Sequence, residues 1–439
     1  MHGRRSELAR VLAGGIAAVA AALSWVILYR LTFGRAAADP ALLVYMLTTG
    51  VLVVVLVVTM APRRFGRLPV APGRVVAIVP SYNENPSALT ATIEALLGGT
   101  VVPDEIHVVD DGSADRVDID AMPVPIRYDR RIRWHRQTNM GKREAQARVL
   151  YELRYWRDRG QPRADYILTV DSDSVVDRRA VQHLLRAMSD PRVQAATGLP
   201  LVRNRGRSWL TLLTDLEMTT ACLTLRAARS RMGAVAPCSG ALSLYRADLV
   251  LDNLDDYVTS GTAGDDRRLT HYALQRGHAV AVDEALVHTD MPHTLTGMYR
   301  QRVRWYRSYW LYALWEVAHL PRLPMLWRAY ALVMSAVTPL ALAWIAIVAP
   351  LAGQGLHWHG LVYWLGLTYS LGLRYAIRRP GMPAWQRWTV WLLITPLWML
   401  VQLLLMRPAM WQALFQARTI AWSTRGPDTA PASTPALAA

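Results

Sequence analysis

Lysine is almost missing from this chain. Among 439 residues Lys142 is the only one; of 49 Lys plus Arg, the other 48 are arginine. Cysteine is nearly as scarce, with Cys222 and Cys238 alone. Two thiols build no disulfide framework, and they fit a reduced, cytosolic compartment. No internal repeat is present, which excludes a solenoid. Charge is absent from two long stretches: Val11–Tyr29 carries none for 19 residues and Ala41–Ala61 none for 21. The chain is 52% hydrophobic and yet formally +16, an uncommon pairing for a purely soluble enzyme.

About 20 apolar residues cross a hydrocarbon core, so both uncharged runs read as transmembrane helices. A signal peptide is the other reading of the first, since Arg4, Arg5 and Arg10 precede it. Its length, and a second span after only 11 residues, speak against that. From about Arg63 to His319 no comparable run occurs. Three more helices are then expected at Ala329–Leu351, Leu361–Leu373 with its flanks, and Trp388–Met406, with Trp and Tyr near their ends as in an interfacial belt. Arg63, Arg64, Arg67 and Arg74 follow the second span; Arg374, Arg378, Arg379 and Arg387 separate the fourth and fifth. The turn Ala352–Gly360 has no Lys or Arg. The positive-inside rule then puts the N-terminus and the central region in the cytosol. Five spans would leave Arg407, Arg418 and Arg425 outside, and a sixth crossing or re-entrant segment near Met410–Trp422 would repair this. The parity stays open. The basic balance fits such flanks and a surface facing anionic lipid. The arginines are scattered, so no nucleic-acid partner is expected. The ending PDTAPASTPALAA reads as a disordered tail.

The central region reads as α/β. Val75–Tyr82, Glu105–Ser113 and Tyr166–Ser174 are short β-rich runs, each ending in carboxylates or turn formers. Pro86–Leu97 between the first two has helical spacing of Leu89, Ile93, Leu96 and Leu97. This alternation predicts βαβ units and a largely parallel sheet. Ligands of such sheets sit beyond the carboxyl ends of the strands. Glu84, Asp110–Asp111 and Asp171–Asp173 would gather there. One such cluster alone reads as a helix or turn cap. Three on one edge would repel each other without a cation between them, which points to a metal or a polyphosphate ligand. Asp171 and Asp173 alternate along a strand and point the same way. Magnesium takes one or two carboxylates plus substrate phosphates.

The single lysine lies in NMGKRE (139–144), after the basic strand Arg131–Gln137 and at the start of a helix, Arg143–Leu153. Gly141 lets the backbone approach closely, and a helix N-terminus favours anions. Lysine is a compact point charge where arginine is a broad fork. The stretch is not a Walker A loop, because its spaced glycines and Lys-Ser/Thr ending are absent.

Together these residues are specific. VPSYNE (79–84), DDGS (110–113), GKR (141–143), DSDS (171–174), CSGALSLYR (238–246), GTAGDDRRLT (261–270) and QRVRW (301–305) occur in this order. The chain resembles the processive family-2 glycosyltransferases, in the branch holding hyaluronan synthases and nodulation chitooligosaccharide synthases. The resemblance covers about residues 75–310. It implies a GT-A-like α/β glycosyltransferase domain, cytosolic and inserted between transmembrane helices. Boundaries follow: two N-terminal spans in 1–62, the transferase domain in 63–292, an interfacial helix with Q-x-x-R-W in 293–323, C-terminal spans in 324–424, and the tail in 425–439.

The resemblance also implies roles. Tyr82, Glu84 and one of Asp110 or Asp111 would hold uracil and ribose, with Lys142 facing the nucleotide. Asp171 would serve the nucleotide, and Asp173 the Mg²⁺ or Mn²⁺. Asp266, with Asp265 beside it, would be the catalytic base. Arg304 would bind the diphosphate, and Gln301 and Trp305 the acceptor sugar. Cys238 and Ser239 would lie near the acceptor. Each has a plainer reading: Asp265–Arg268 as a solvated turn, Trp305 as an interfacial anchor, Cys238 and Cys222 as buried filler. Arg207–Arg231 reads as a helix, at the membrane surface or packed on the sheet. The sequence departs from the family at Ser239-Gly240-Ala241, where Gly-Pro is common, and at AWSTRG (421–426), where Ser423 replaces Gly. These changes bear on which polymer is made. The expected partners are a UDP-sugar donor, a growing polysaccharide and the bilayer of a plasma membrane. Hyaluronan is the leading product, and a chitin-like N-acetylglucosamine polymer the close alternative. A non-processive lipid glycosyltransferase and a silent membrane scaffold are further alternatives.

Overall fold

A computed structural model describes residues 41–60, 65–114, 117–260, 264–355 and 358–417. The first apolar run Val11–Tyr29, Arg63 and Arg64, and the tail with its AWSTRG stretch lie outside the described residues. The second apolar run is helix α1 (Ala41–Met60).

The four runs that read as strands become β1 (Val75–Ser81), β2 (Glu105–Asp110), β3 (Ile132–Arg136) and β4 (Tyr166–Thr169). They lie side by side in the order β3-β2-β1-β4 and all pair in parallel. Side chains alternate across a strand, and here both faces are covered. Val75, Ala77 and Val79 pack with Leu89, Ile93 and Leu96 of α2 (Pro86–Leu97). Val76 and Ile78 pack with Val149, Leu150 and Leu153 of α3 (Lys142–Arg157). β1 and β2 are therefore buried end to end, which explains their unbroken apolar runs. Asn85 caps α2 by accepting from the Ser87 amide, with Pro86 at the first helical position.

Beyond β4 the sheet departs from the expectation. β5 (Val175–Val176), helix α4 (Ala180–Met188), β6 (Val193–Val202), β7 (Ser243–Arg246) and β8 (His278–Thr289) follow, and the strands complete the order β3-β2-β1-β4-β7-β6-β8-β5. β7 is antiparallel to β4 and to β6, and β5 to β8. The sheet is mixed rather than largely parallel. The reason is the route of the chain. It leaves β6 at the carboxyl edge of the parallel strands and runs through helices. It re-enters at that same edge, where Ser243 of β7 pairs with Thr169 of β4. β7 must then run the opposite way.

That helical detour is α5 (Trp209–Ala221), bent by a π-turn at Cys222–Arg226 and continued over Ala227–Arg231. It packs on the sheet through Leu199, Leu201, Cys222 and Leu223, and its other side meets apolar helices. Next come α6 (Asp265–Arg276), α7 (Leu295–Leu311) and α8 (Ala313–His319). The expected single amphipathic helix His293–Trp315 is thus two helices, broken at Tyr312. Three apolar helices follow: α9 (Arg322–Leu351), α10 (Trp358–Arg378) and α11 (Ala384–Phe415). Among the described residues, α9 and α11 are long and apolar enough to cross a membrane, by length and composition. At 1.5 Å per residue, the 32 residues of α11 reach about 48 Å, more than a hydrocarbon core of about 30 Å. Its far end packs on α7: Ala409 and Ala413 meet Val303, and Trp310 Nε1 donates to the Met410 carbonyl at 2.8 Å. Of Met410–Trp422, read as a sixth crossing or a re-entrant segment, Met410–Phe415 is the end of this same helix, and the residues from 418 on lie outside the described ones.

Arginines read as membrane-flank charges turn out to be structural. Arg379 is fully buried, and its Nε and Nη2 donate to Asp215 of α5 at 3.0 and 2.8 Å. Tyr375 donates to the same carboxylate at 2.8 Å. Arg374, also fully buried, donates to the Leu223 carbonyl at 3.2 Å. Replacing Asp215 with alanine leaves Arg379 buried without its counter-charge. The expected loss is about 3–5 kcal/mol, read as a lower unfolding temperature of the detergent-purified protein. An unchanged unfolding temperature would refute this role.

Candidate active site

The carboxyl ends of β1 and β2 lie level, and β4 ends three residues short of them, so the segment after it reaches the same edge. Ser81 pairs with Asp110, and Ile78 with Thr169. The segments that follow carry Tyr82–Glu84, Asp110–Asp111 and Asp171–Asp173, so the three acidic clusters share one edge, as the sequence predicts.

Lys142 stands against the third of them. It is the first residue of α3, behind Gly141 with φ 97°. Its Nζ lies 2.7 Å from Asp171 Oδ1 and 3.0 Å from Asp265 Oδ2. Burial works against its charge, but Asp171, Asp265 and Asp266 outweigh this and hold its pKa well above the ordinary lysine value. The Asp171 oxygens lie close to Gly240: a Cβ there would sit 3.0 Å from Lys142 Nζ and 3.4 and 3.5 Å from the Asp171 oxygens. The glycine keeps that wall thin.

Asp265 and Asp266 open α6, behind Gly264 in the left-handed region at φ 78°. A Cβ on Gly264 would come 2.6 Å from Ser308 Cβ, so the backbone ahead of α6 lies directly against the Ser308 side chain of α7. Burial opposes the Asp265 charge, but Lys142 and Arg143 hold its pKa below the usual carboxylate value. Asp266 goes the other way. Burial and the Asp265 charge push it up to about 6, against Lys142 and Arg267. Two adjacent carboxyls with separated proton affinities suit a permanent anion beside a base. Asp266 is half-buried; Asp265, Arg267 and Arg268 are buried, which rules out the solvated turn.

Arg304 faces this group from α7. Burial lowers its pKa while Asp171, Asp265, Asp266 and Asp173 pull it up, so one guanidinium answers four carboxylates. Asp173 Oδ1 lies 3.4 Å from Thr289 Oγ1. Gln301 and Trp305 share α7 and are half-buried. The Gln301 Oε1 is buried without a hydrogen-bond partner, and its Nε2 lies 3.7 Å from Met291 Sδ. The Arg302 guanidinium lies over the Trp305 ring, 4.3 Å from its centroid.

Other expected residues support loops. Asp110 accepts from the Ser113 amide at 2.9 Å and from Arg136 at 3.1 Å. Asp111 accepts from Gln137 Nε2 at 2.7 Å and from the Met140 and Gly141 amides at 3.1 and 2.7 Å. It therefore sets the loop that presents Lys142. Glu84 accepts from Ser172 Oγ at 2.7 Å, which ties the first acidic cluster to the third. Tyr82 is half-buried just beyond β1. Ser239 is half-buried beside Gly240, and its amide donates to Thr197 Oγ1 at 2.9 Å. Cys238 is not brought to the site edge. It is fully buried, and burial pushes its thiol up to about 12.

Among the described residues no three His, Cys, Asp or Glu side chains are grouped to hold a metal ion. Two carboxylates, Asp171 and Asp173, stand one residue apart past β4. That donor set suits a hard divalent ion completing its shell with phosphate and water.

Sequence reasoning passed over Gly240, Gln137 and Ser172, whose roles depend on contacts between distant segments. It also passed over Glu316, which receives Arg267 at 2.9 Å.

Residues 72–308 match the model of the glycosyltransferase like family 2. The hyaluronan synthase of Streptococcus pyogenes is 35% identical over 274 residues, 60% of this chain and 63% of that protein. The chain thus spans less than two thirds of that relative's length. The N-acetylglucosaminyltransferase of Rhizobium meliloti is 38% identical over 243 residues, 53% of this chain and 54% of that protein. Among solved structures, a mannosyltransferase from Pyrobaculum calidifontis in complex with GDP-Man and Mn²⁺ aligns over 90% of this chain and 98% of its own. Its TM-score is 0.51 at 16% identity, a likeness of fold.

Substituting Gly240 with alanine puts a methyl group against Lys142 Nζ. We expect turnover to drop about tenfold or more, since small misplacements at a reacting centre are costly. The unfolding temperature should change little. Unchanged turnover would show that this wall does not set the lysine.

Proposed function

The chain belongs to the glycosyltransferase like family 2, and we propose that it is an inverting, processive synthase moving sugar from UDP-sugar donors onto a growing β-linked polysaccharide. The observation that carries this reading is the gathering of Lys142, Asp171, Asp265, Asp266 and Arg304 into one charge cluster at the strand ends. The names of the relatives favour N-acetylglucosamine as one transferred sugar. Hyaluronan, made with UDP-glucuronate as second donor, is the named product. A polymer of N-acetylglucosamine alone is the alternative.

In the transfer, the acceptor hydroxyl oxygen forms a bond to the anomeric carbon of the donor sugar. The bond from that carbon to the diphosphate oxygen breaks, and UDP leaves with the electron pair. Asp266 takes the hydroxyl proton. Lys142 and Arg304 supply positive charge where it develops on the diphosphate. A bound Mg²⁺ or Mn²⁺, held by Asp173 and Asp171, would neutralise the same oxygens. Tyr82, Glu84 and the Asp110–Asp111 turn shape the nucleoside end. Gln301 and Trp305 receive the acceptor, with Ser239 beside them. The apolar helices α9 and α11 support a multi-pass plasma-membrane location with the transferase domain in the cytosol, where UDP-sugars would reach it.

The test is UDP release by the purified protein with Mg²⁺ or Mn²⁺, given UDP-N-acetylglucosamine and UDP-glucuronate singly and together. Release that needs both donors, with product digested by hyaluronidase, supports hyaluronan. Polymer from N-acetylglucosamine alone supports the alternative. Asp266→Asn should lower the rate by about a hundredfold or more. If neither donor gives release that Asp266→Asn abolishes, the proposal fails. The rate should also depend on pH. Below about 6 Asp266 holds a proton and cannot accept another, so activity should rise through that pH. A rate flat over about one pH unit on either side of that value would contradict the role of Asp266.

A further inference from the structure

Glu316 is the sole Asp or Glu between Asp290 and Asp428. It sits on α8 and is 1% exposed, where a carboxylate needs partners. Those partners come from two other elements. Its Oε1 lies 2.9 Å from Arg267 Nη1 and 2.8 Å from His271 Nε2, both on α6. Its Oε2 is held by Arg328, near the start of the apolar helix α9. Arg328 also donates to the Tyr309 carbonyl of α7. Trp315 stacks on His271 with centroids 4.8 Å apart and closes the cluster. Burial opposes the Glu316 charge, but Arg267, His271 and Arg328 outweigh it and hold its pKa at about 2. Burial keeps the His271 pKa low, so the ring is neutral near pH 7. Two guanidiniums therefore share one carboxylate.

Arg267 is the link to the site. It follows Asp266, and its backbone amide donates to Asp266 Oδ1 at 2.7 Å. The charged and titratable groups facing Asp266 are Asp265 and Arg267 of α6, Lys142 of α3, Arg304 of α7, Tyr245 of β7, Cys238 and Tyr257. Tyr245, Tyr257 and Cys238 are kept neutral by burial. Lys142 is committed to Asp171 and Asp265. Arg267 is the neighbouring cation whose counter-charge lies away from the site edge, on α8.

We propose that Glu316 is a positioning residue for sugar transfer. It fixes the Arg267 charge beside Asp266, so sets the pH at which Asp266 becomes a base, and ties that base to α9 through Arg328. The inference rests on the reading of Asp266 as the base.

The experiment is the pH profile of UDP release by the full-length, detergent-purified protein, with wild type, Glu316→Gln, Arg328→Gln and the double variant. Glu316→Gln leaves the Arg267 charge uncompensated, which favours the Asp266 carboxylate. Its acid inflection should move down by about half a pH unit or more. The double variant still leaves the Arg267 charge uncompensated, so its inflection should lie with that of Glu316→Gln and not with that of Arg328→Gln, an order that loose packing would not give. If Glu316→Gln does not fold, Arg328→Gln decides: it leaves Glu316 wholly to Arg267, so the inflection should move up. Inflections that stay at the wild-type pH in an active protein overturn the proposal, whatever the loss of rate. A wild type that releases no UDP overturns the underlying reading and this inference with it.

Discussion

One ammonium group holds the site together. Carboxylates at the ends of neighbouring parallel strands repel each other, and the fold brings Asp171 to the same edge as Asp265 of α6. Lys142 Nζ lies between them, at 2.7 and 3.0 Å. Removing a partner from this half-buried charge group costs more than breaking an exposed surface pair. The rest is arranged to deliver that nitrogen. Asp111 accepts from the Met140 and Gly141 amides and fixes the loop ahead of it. α3 packs against one face of β1 and carries it. Gly240 thins the wall so that a compact cation fits.

A second set of charges joins the α/β domain to the apolar helices. Asp215 grips Arg379, and Glu217 accepts from Arg302 at 2.7 Å and from Gln402 of α11 at 3.0 Å. Glu316 grips Arg267 and Arg328. Each of these three acids has an arginine partner, whose fork can serve two oxygens or two neighbours at once. This accounts for part of the arginine excess that composition alone assigns to membrane flanks. It also makes the apolar helices part of the same packed unit as the carboxylates.

The parallel half of the sheet was legible because β1, β2 and β4 each repeat one pattern, an apolar run ending in carboxylates or turn formers. β6 lacks that ending, β8 interrupts its apolar run with Asp283 and Glu284, and the antiparallel β7 depends on the route through α5, so the mixed half left no signal of its own. Pro86–Leu97 was read to the residue because its cap is local: Asn85 and Pro86 define it in the sequence. The break at Tyr312 was not legible, since it follows from α8 turning to set Glu316 against α6. Of the two readings of Cys238, a place near the acceptor and a buried filler, the burial of its side chain fits the second. Asp110 and Asp111 carry both meanings at once. They lie at the site edge, and their oxygens accept from loop donors.

The central claim is that this position needs a lysine, in a chain that uses arginine everywhere else. Equilibrium binding of UDP with Mg²⁺ to Lys142→Arg tests it directly. A guanidinium keeps the charge but is too broad for the space between Asp171, Asp265 and Gly240. The account predicts affinity weaker by about tenfold or more than wild type, with the protein still folded. Wild-type affinity in Lys142→Arg would contradict it, and would make the single lysine an accident of composition.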